Sequence, residues 1–405
     1  MTSLSARVVA YASVREFVPL YGLYALLFED HGLDTRSISS LFVLWSVVAF
    51  VSEVPSGAWA DTVSRRGLLF GSGALLTAAF TMWLVWPGYW GFALGFVLWG
   101  ISESMKSGTF EALVYDELAA RGCEHRYAAI MGYANAGEMT CVFVAILTAA
   151  PLFELGGYAL VGWVSVAITV VDIALVGTLP AAPKVEEADE IAGRGDTVLV
   201  RYMSSLRAGT SEIRTDRVVR RSVVLAAALL ACLAFDEYFA LLARESGAET
   251  GFVPVLVALT AVGQVVGAAT AGRTATMSGR TMGAVVIVGS ALIAGGALAG
   301  GALAGGIAGF TAIGVGYGAL HNTAIVAEAR LQDTMSGRAR ATVSSVVGLT
   351  SEVLSVAVFA AYAIGSLWLP MAALVAVTVL PLVGLGVVVP RLLPAARPAG
   401  TERER

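Results

Sequence analysis

Apolar stretches about twenty residues long succeed one another along nearly the whole chain, parted by short turns that carry most of its arginines. A hydrocarbon layer of about 30 Å is crossed by about 20 residues of helix, each adding about 1.5 Å. On that ruler the first six spans are predicted near 7–28, 38–58, 67–86, 90–112, 127–151 and 158–179. The second six are predicted near 220–243, 252–272, 281–300, 303–327, 341–366 and 368–390. With 57% hydrophobic and 14% charged residues, the chain holds more apolar side chain than one water-soluble core can hide. An all-α polytopic membrane protein of twelve transmembrane helices follows. The run AGGALAGGALAGGIAG from Ala294 to Gly309 contains no polar loop, so the ninth and tenth spans are expected to pack tightly about a very short turn.

Charge placement orients the chain and removes several functional classes. Arg65, Arg66, Arg121, Arg126, Arg273, Arg280, Arg330, Arg338 and Arg340 fall in alternate turns, whereas the opposite turns hold Arg36 and Arg244. By the positive-inside rule both termini are expected in the cytoplasm. The net charge of −4 is small and the basic residues form no patch, so nucleic acid is excluded as a partner. Cys123, Cys141 and Cys232 lack metal-ligand spacing and imply neither a disulfide framework nor a zinc site. The first apolar stretch is long enough to span and shows no small-residue cleavage site, so no cleavable signal is expected.

One long polar segment divides the spans six and six. Its first part, AAPKVEEADEIAGRGD from Ala181, reads as a flexible acidic linker. Its second part sets Leu199, Tyr202, Met203 and Leu206 at helical spacing opposite Arg201, Ser204 and Ser205, the pattern of an amphipathic helix on a membrane surface. The expected organisation is a six-helix bundle over 1–180, a cytoplasmic linker over 181–219, a second bundle over 220–390 and a disordered tail over 391–405. An internal repeat supports it. RYAAIMGYANAGE from Arg126 to Glu138 and RATVSSVVGLTSE from Arg340 to Glu352 each place a glutamate twelve residues after an arginine, about 18 Å along a helix. The halves are then expected to be related by duplication about a pseudo-twofold axis. The same alignment sets SRR at 64–66 opposite SGR at 278–280.

Several side chains do not belong in hydrocarbon. An ionisable group at a helix centre costs about 2.5–3.5 kcal/mol on insertion scales, which makes each a functional candidate. These are Arg15 and Glu16 in the first span, Glu103 and Lys106 in the fourth, Glu138 in the fifth, Asp236 and Glu237 in the seventh, His321 in the tenth and Glu352 in the eleventh. One reading is that they line a substrate and proton pathway; the plainer one is that opposite charges pin helices together, as Arg15 with Glu103 or Glu16, and Lys106 with Glu103. In FDEYF the two acids fall on faces about 100° apart, or the seventh helix is unwound there and both are wet. Asp172 in the sixth span has no evident partner. Tyr11, Tyr24, Trp99 and Tyr238 are candidates for an aromatic cavity wall.

Between the second and third spans stands EVPSGAWADTVSRRG, from Glu53 to Gly67. It resembles the helix 2–3 loop of the major facilitator superfamily: Gly57, Ala60, Asp61, Arg65 and Arg66 match, while Thr62 and Ser64 depart from the pattern. The resemblance implies two six-helix bundles and a cytoplasmic gate in which Arg65 or Arg66 pairs with Glu111 or Asp116 of SGTFEALVYDEL, while Asp61 holds helix ends. A solvated acidic helix end is the alternative. Glu53 to Gly57 together with SGTFEALVYD is similar to the proton-linked efflux branch that includes macrolide exporters. Two departures stand against that branch: the fifth span has only Gly132 and Gly137 and no Gly-Pro pair, and in the fourth Lys106 is the nearest basic residue to the usual arginine.

The functional expectation is a bacterial inner (plasma) membrane secondary transporter that exports a small amphipathic molecule in exchange for protons by alternating access. A proton symporter importing a nutrient or anionic metabolite, with Arg15 and Lys106 as the anion clamp, is the alternative; a non-transporting receptor or assembly protein on the same fold is another. No phosphate loop, metal cluster or nucleophile–base pair points to an enzyme. No cofactor or metal is expected, and the partners are the substrate, protons and the bilayer, with the protein a monomer.

Overall fold

The computed structural model describes residues 2–62, 64–180, 217–299, 303–334 and 337–394, with no strand among the described residues. The expected linker and amphipathic helix over 181–216, and the tail from 395, lie outside the described residues. In the amino-terminal half the helices are α1 (Thr2–Arg15), α2 (Tyr24–Asp30), α3 (Thr35–Thr62), α4 (Arg65–Val85), α5 (Tyr89–Lys106), α6 (Thr109–Ala119) and α7 (Tyr127–Thr178). In the carboxy-terminal half they are α8 (Arg217–Ala231), α9 (Phe239–Glu245), α10 (Val253–Thr274), α11 (Gly279–Leu298), α12 (Leu303–Asp333), α13 (Gly337–Gly365), α14 (Met371–Thr378) and α15 (Leu380–Leu392). Eight described stretches are long and apolar enough to cross a membrane, and one of them, Glu124–Thr178, is 55 residues long, enough for two crossings. The fold is the expected all-α polytopic one.

Several of the expected spans are not single straight helices, and local chemistry says why. The first, expected to be continuous over 7–28, stops at Arg15 and resumes at Tyr24 after a 3₁₀ turn over Pro19–Gly22. Pro19 has no N–H to continue the helix and holds Val18 extended, at φ −116° and ψ 96°. The freed amide of Leu20 donates to Ser165 Oγ at 3.0 Å. The fourth, expected over 90–112, stops at Lys106, because Gly108 turns the chain at φ +70° before α6 begins. The fifth and sixth form one helix, α7, kinked at Gly156 and Gly157. The seventh is α8 and α9 joined by a 3₁₀ segment over Cys232–Tyr238, so FDEYF departs from α-helical geometry by tightening rather than unwinding, and its two acids are half-buried rather than wet.

The described residues form two compact units, one within Met1–Tyr202 and Glu249–Ala258, the other within Met203–Ala248 and Leu259–Arg405. In the first, a cluster of aromatic rings fills the space between α2, α4 and α5. Tyr21 stacks on Trp99 with centroids 5.5 Å apart, Phe96 stacks on Trp99 at 5.9 Å, and Trp83 meets Phe28 edge-on at 5.0 Å. Offset-stacked and edge-on rings contribute about 0.5–1.5 kcal/mol per pair beyond their burial.

The second unit is held by closeness of backbones instead. Gly263 and Gly267 of α10 face Gly314 and Gly318 of α12, so that a Cβ on any of the four would run into backbone of the opposite helix. α11 approaches α12 in the same way at Gly296 with Gly309 and at Gly289 with Gly316, the tight packing expected of the glycine–alanine run. Residues 300–302, where the short turn was expected, lie outside the described residues.

The turns before α4 and α11 repeat one device: Ser64 Oγ accepts from Gly67 N at 3.1 Å, and Ser278 Oγ accepts from Thr281 N at 3.1 Å. They are braced differently. In the second unit the buried Arg330 of α12 reaches across the turn, its Nε and Nη2 donating to the Ala275 carbonyl at 3.0 and 2.7 Å and its Nη2 to the Met277 carbonyl at 2.5 Å. Arg330→Met is expected to lower stability by about 1.5–3 kcal/mol, the range for hydrogen bonds to a charged group. Thermal unfolding in detergent checks it, and Arg330→Lys should restore less than half, because one ammonium cannot fork between these carbonyls.

Candidate functional site

The breaks in the first and fourth spans place two cations at helix ends inside the first unit. Arg15 is the last residue of α1 and Lys106 the last of α5, each beside carbonyls left without an intrahelical partner, where the helix dipole favours positive charge.

Arg15 is buried and fully engaged at both terminal nitrogens. Nη1 lies 3.3 Å from Asp172 Oδ2, and Nη2 lies 3.1 Å from Glu103 Oε1. Nη2 also donates to Ser72 Oγ at 2.9 Å and Ser102 Oγ at 3.1 Å. Each serine hydroxyl gives its hydrogen to the other's carbonyl, Ser72 to Ser102 and Ser102 to Ser72, both at 2.8 Å. Their lone pairs are thereby left for the guanidinium, and α4 is tied to α5 beneath it. Lys106 Nζ donates to Glu16 Oε1 at 3.1 Å and lies 3.8 Å from Glu138 Oε1. Glu103, three residues before Lys106 on one helix face, joins the two groups.

The cluster therefore sets two cations against four carboxylates, Glu16, Glu103, Glu138 and Asp172. Asp172 is completely buried, and its Oδ1 has no hydrogen-bond partner among the described residues. Taking charges out of water is costly unless they are paired and hydrogen-bonded. A surplus of carboxylate in such a place is suited to taking up a positive charge, whether a proton or part of a ligand.

Five expected pathway residues, Arg15, Glu16, Glu103, Lys106 and Glu138, are thus brought together. Their pairing differs in detail from expectation, with Lys106 bonded to Glu16 rather than to Glu103. Asp172 belongs with them although its role was not legible, and so do Ser72 and Ser102. The remaining four lie in the second unit: half-buried Asp236 and Glu237 on the 3₁₀ segment, His321 on α12 and Glu352 on α13. The hydroxyl of Tyr317 lies beside Asp236 and 2.9 Å from the Leu233 carbonyl, two acceptors for its one proton, and accepts from Gln264 Nε2 at 3.2 Å. His321 is half-buried and its Nδ1 has no partner among the described residues, whereas Asn322 beside it is saturated by Gly267, Thr270 and Thr274. Among the described residues no three His, Cys, Asp or Glu side chains gather as a metal ion requires.

The aromatic candidates are buried against other rings. Tyr11 packs on Phe110 at 5.1 Å, Tyr24 and Trp99 are members of the first unit's aromatic cluster, and Tyr238 stacks on Tyr362 at 3.8 Å. Of the gate residues, Arg65 Nη1 meets Asp116 Oδ2 at 2.5 Å, joining α4 to α6 within the first unit. Arg66 donates to the Gly177 carbonyl and lies 5.7 Å over the ring of Phe70. Glu111 is half-buried in the first turn of α6. Gly57 and Asp61 fall on the last turns of α3, and their side chains lie outside the described residues.

Comparison with known proteins places this architecture. The sequence matches the Major Facilitator Superfamily over residues 5–360. No curated protein matches it. Among solved structures it is similar to the nucleoside transporter NupG, with a TM-score of 0.73, 13% identity and coverage of 96% of this chain and 98% of that one. It is likewise similar to the POT family transporter PepTSo, at 0.71 and 12% identity over 96% and 97% of the two chains. A bacterial homolog of the human lysosomal transporter Spinster gives 0.71 and 12% identity over 97% of each. At these identities the likeness is one of fold.

Proposed function

The chain belongs to the major facilitator superfamily of membrane transporters, and from that premise we propose that it is a proton-coupled secondary transporter exporting a small amphipathic molecule by alternating access. It acts in the bacterial inner membrane with both termini in the cytoplasm, as its arginine placement favours.

The observation that carries this reading is the sharing of Arg15 between two carboxylates of unequal access. Glu103 is partly open to solvent, whereas Asp172 is sealed. Either acid can be neutralised by a proton without leaving the guanidinium unpaired, so a proton can be loaded and released at modest cost. The alternative of an anion-importing symporter fits less well, since Arg15 and Lys106 are already engaged and an incoming anion would meet surplus carboxylate.

Purified protein in proteoliposomes under an imposed pH gradient tests the proposal. An exchanged compound accumulates on the acidic side, whereas a co-transported one accumulates on the alkaline side. Glu103→Gln and Asp172→Asn are each expected to reduce gradient-driven flux at least tenfold. Accumulation on the alkaline side, or unchanged coupling in both variants, would refute it.

A further inference from the structure

Resting on that reading of the cluster, we infer that the compound carried there is an organic cation. Three observations lead to it. First, four carboxylates face two cations, and among the described residues of this unit no further cation joins them. Tyr11 of α1 adds no charge in its neutral form, α4 contributes the uncharged Ser72, and Glu111 of α6 acts on Glu138 with the same sign as the surplus.

Second, the accessible members of the cluster are its acids. Glu103, Glu138 and Glu16 are 34%, 26% and 22% exposed, against 14% for Lys106, 1% for Arg15 and 0% for Asp172. A ligand reaching the cluster meets three carboxylates in front of a guanidinium that is wholly covered. Third, the Arg15 terminal nitrogens are occupied by two carboxylates and two hydroxyls, and Lys106 by Glu16 with Glu138 nearby. An anion would have to displace a carboxylate from a site already short of positive charge. A cation takes the opposite course and supplies the charge the site lacks. It also competes with protons for the same acids, which links the identity of the ligand to the exchange.

The test uses two ions of almost the same size and shape and opposite sign, tetraphenylphosphonium and tetraphenylborate, on the purified full-length chain in detergent. The phosphonium is expected to bind at least tenfold more tightly than the borate. Its affinity should fall as the medium is acidified, because protons compete with it for the same carboxylates. E138Q and E16Q, at half-open positions, are each expected to weaken phosphonium binding severalfold, with thermal unfolding of the ligand-free variants recorded to establish that they fold. Absence of phosphonium binding, borate binding of equal or greater strength, or indifference of phosphonium affinity to both variants would overturn the inference. The two readings fail separately. A phosphonium that binds in this manner but is not driven by a pH gradient refutes proton-coupled export and leaves cation recognition standing. Gradient-driven movement of a neutral or anionic compound by a protein that ignores the phosphonium does the reverse.

Discussion

Replacing Arg15 with leucine is expected to abolish transport and to destabilise the protein by about 3–5 kcal/mol, the cost of removing one member of a buried ion pair. The loss is large because the guanidinium serves four groups on three helices. Without it Asp172 has neither oxygen satisfied in a sealed site, Glu103 loses its partner, and the Ser72 and Ser102 lone pairs face nothing. Arg15→Lys should recover only part, since one ammonium cannot lie along both carboxylates and both hydroxyls. The paired substitution Arg15→Leu with Asp172→Asn should be more stable than Arg15→Leu alone, because it removes the stranded charge, and should still not transport. Thermal unfolding in detergent and flux in proteoliposomes read the two effects. A folded Arg15→Leu protein with full flux would show that the cluster neither holds the unit together nor serves transport.

The second large effect is expected from Gly314→Leu, which should give no monodisperse folded protein. Its first side-chain atom would fall against the carbonyl of Leu259 and the backbone of Thr260, which have no rotamer to give way. Overfilling a packed site costs about 1–3 kcal/mol where side chains can move. Here two helix backbones must separate, and the Gly263–Gly314 and Gly267–Gly318 contacts open together. Gly348→Ala and Gly384→Ala are the controls, because nothing lies within 4 Å of a Cβ at either position. Size-exclusion profiles of detergent-extracted protein check the contrast, and a normal profile for Gly314→Leu would refute the tight crossing.

What could be read from the chain beforehand follows the range of each interaction. Hydrophobic length exposed the crossing segments, since a span is a local property of about twenty residues. The SRR and SGR turns could be aligned because each serine caps its own helix three residues on. The breaks were legible in principle, as Pro19 and Gly108 are local punctuation, but an apolar count runs straight over them. The partner of Asp172 was not legible. It lies 157 residues away, and an aspartate in an apolar helix looks the same whether it meets an arginine, a proton or water. Ser72 and Ser102 were quieter still, since serine is common in membrane helices and only their mutual exchange under Arg15 distinguishes them. Arg330 braces the second unit's turn from α12 through carbonyl groups, a contact that leaves no charge pattern in sequence.

The distances along the chain between Arg15 and its partners also set an order of events during synthesis. Ser72, Ser102 and Glu103 follow it by 57, 87 and 88 residues, and Asp172 by 157. A charged residue at the middle of an isolated helix costs about 2.5–3.5 kcal/mol to leave in lipid. The segment around Arg15 therefore carries a cation and an anion that hydrocarbon rejects, and it is made well before Asp172, the most distant of its partners. The Arg15 network is thus expected to close only once the segment carrying Asp172 has been made.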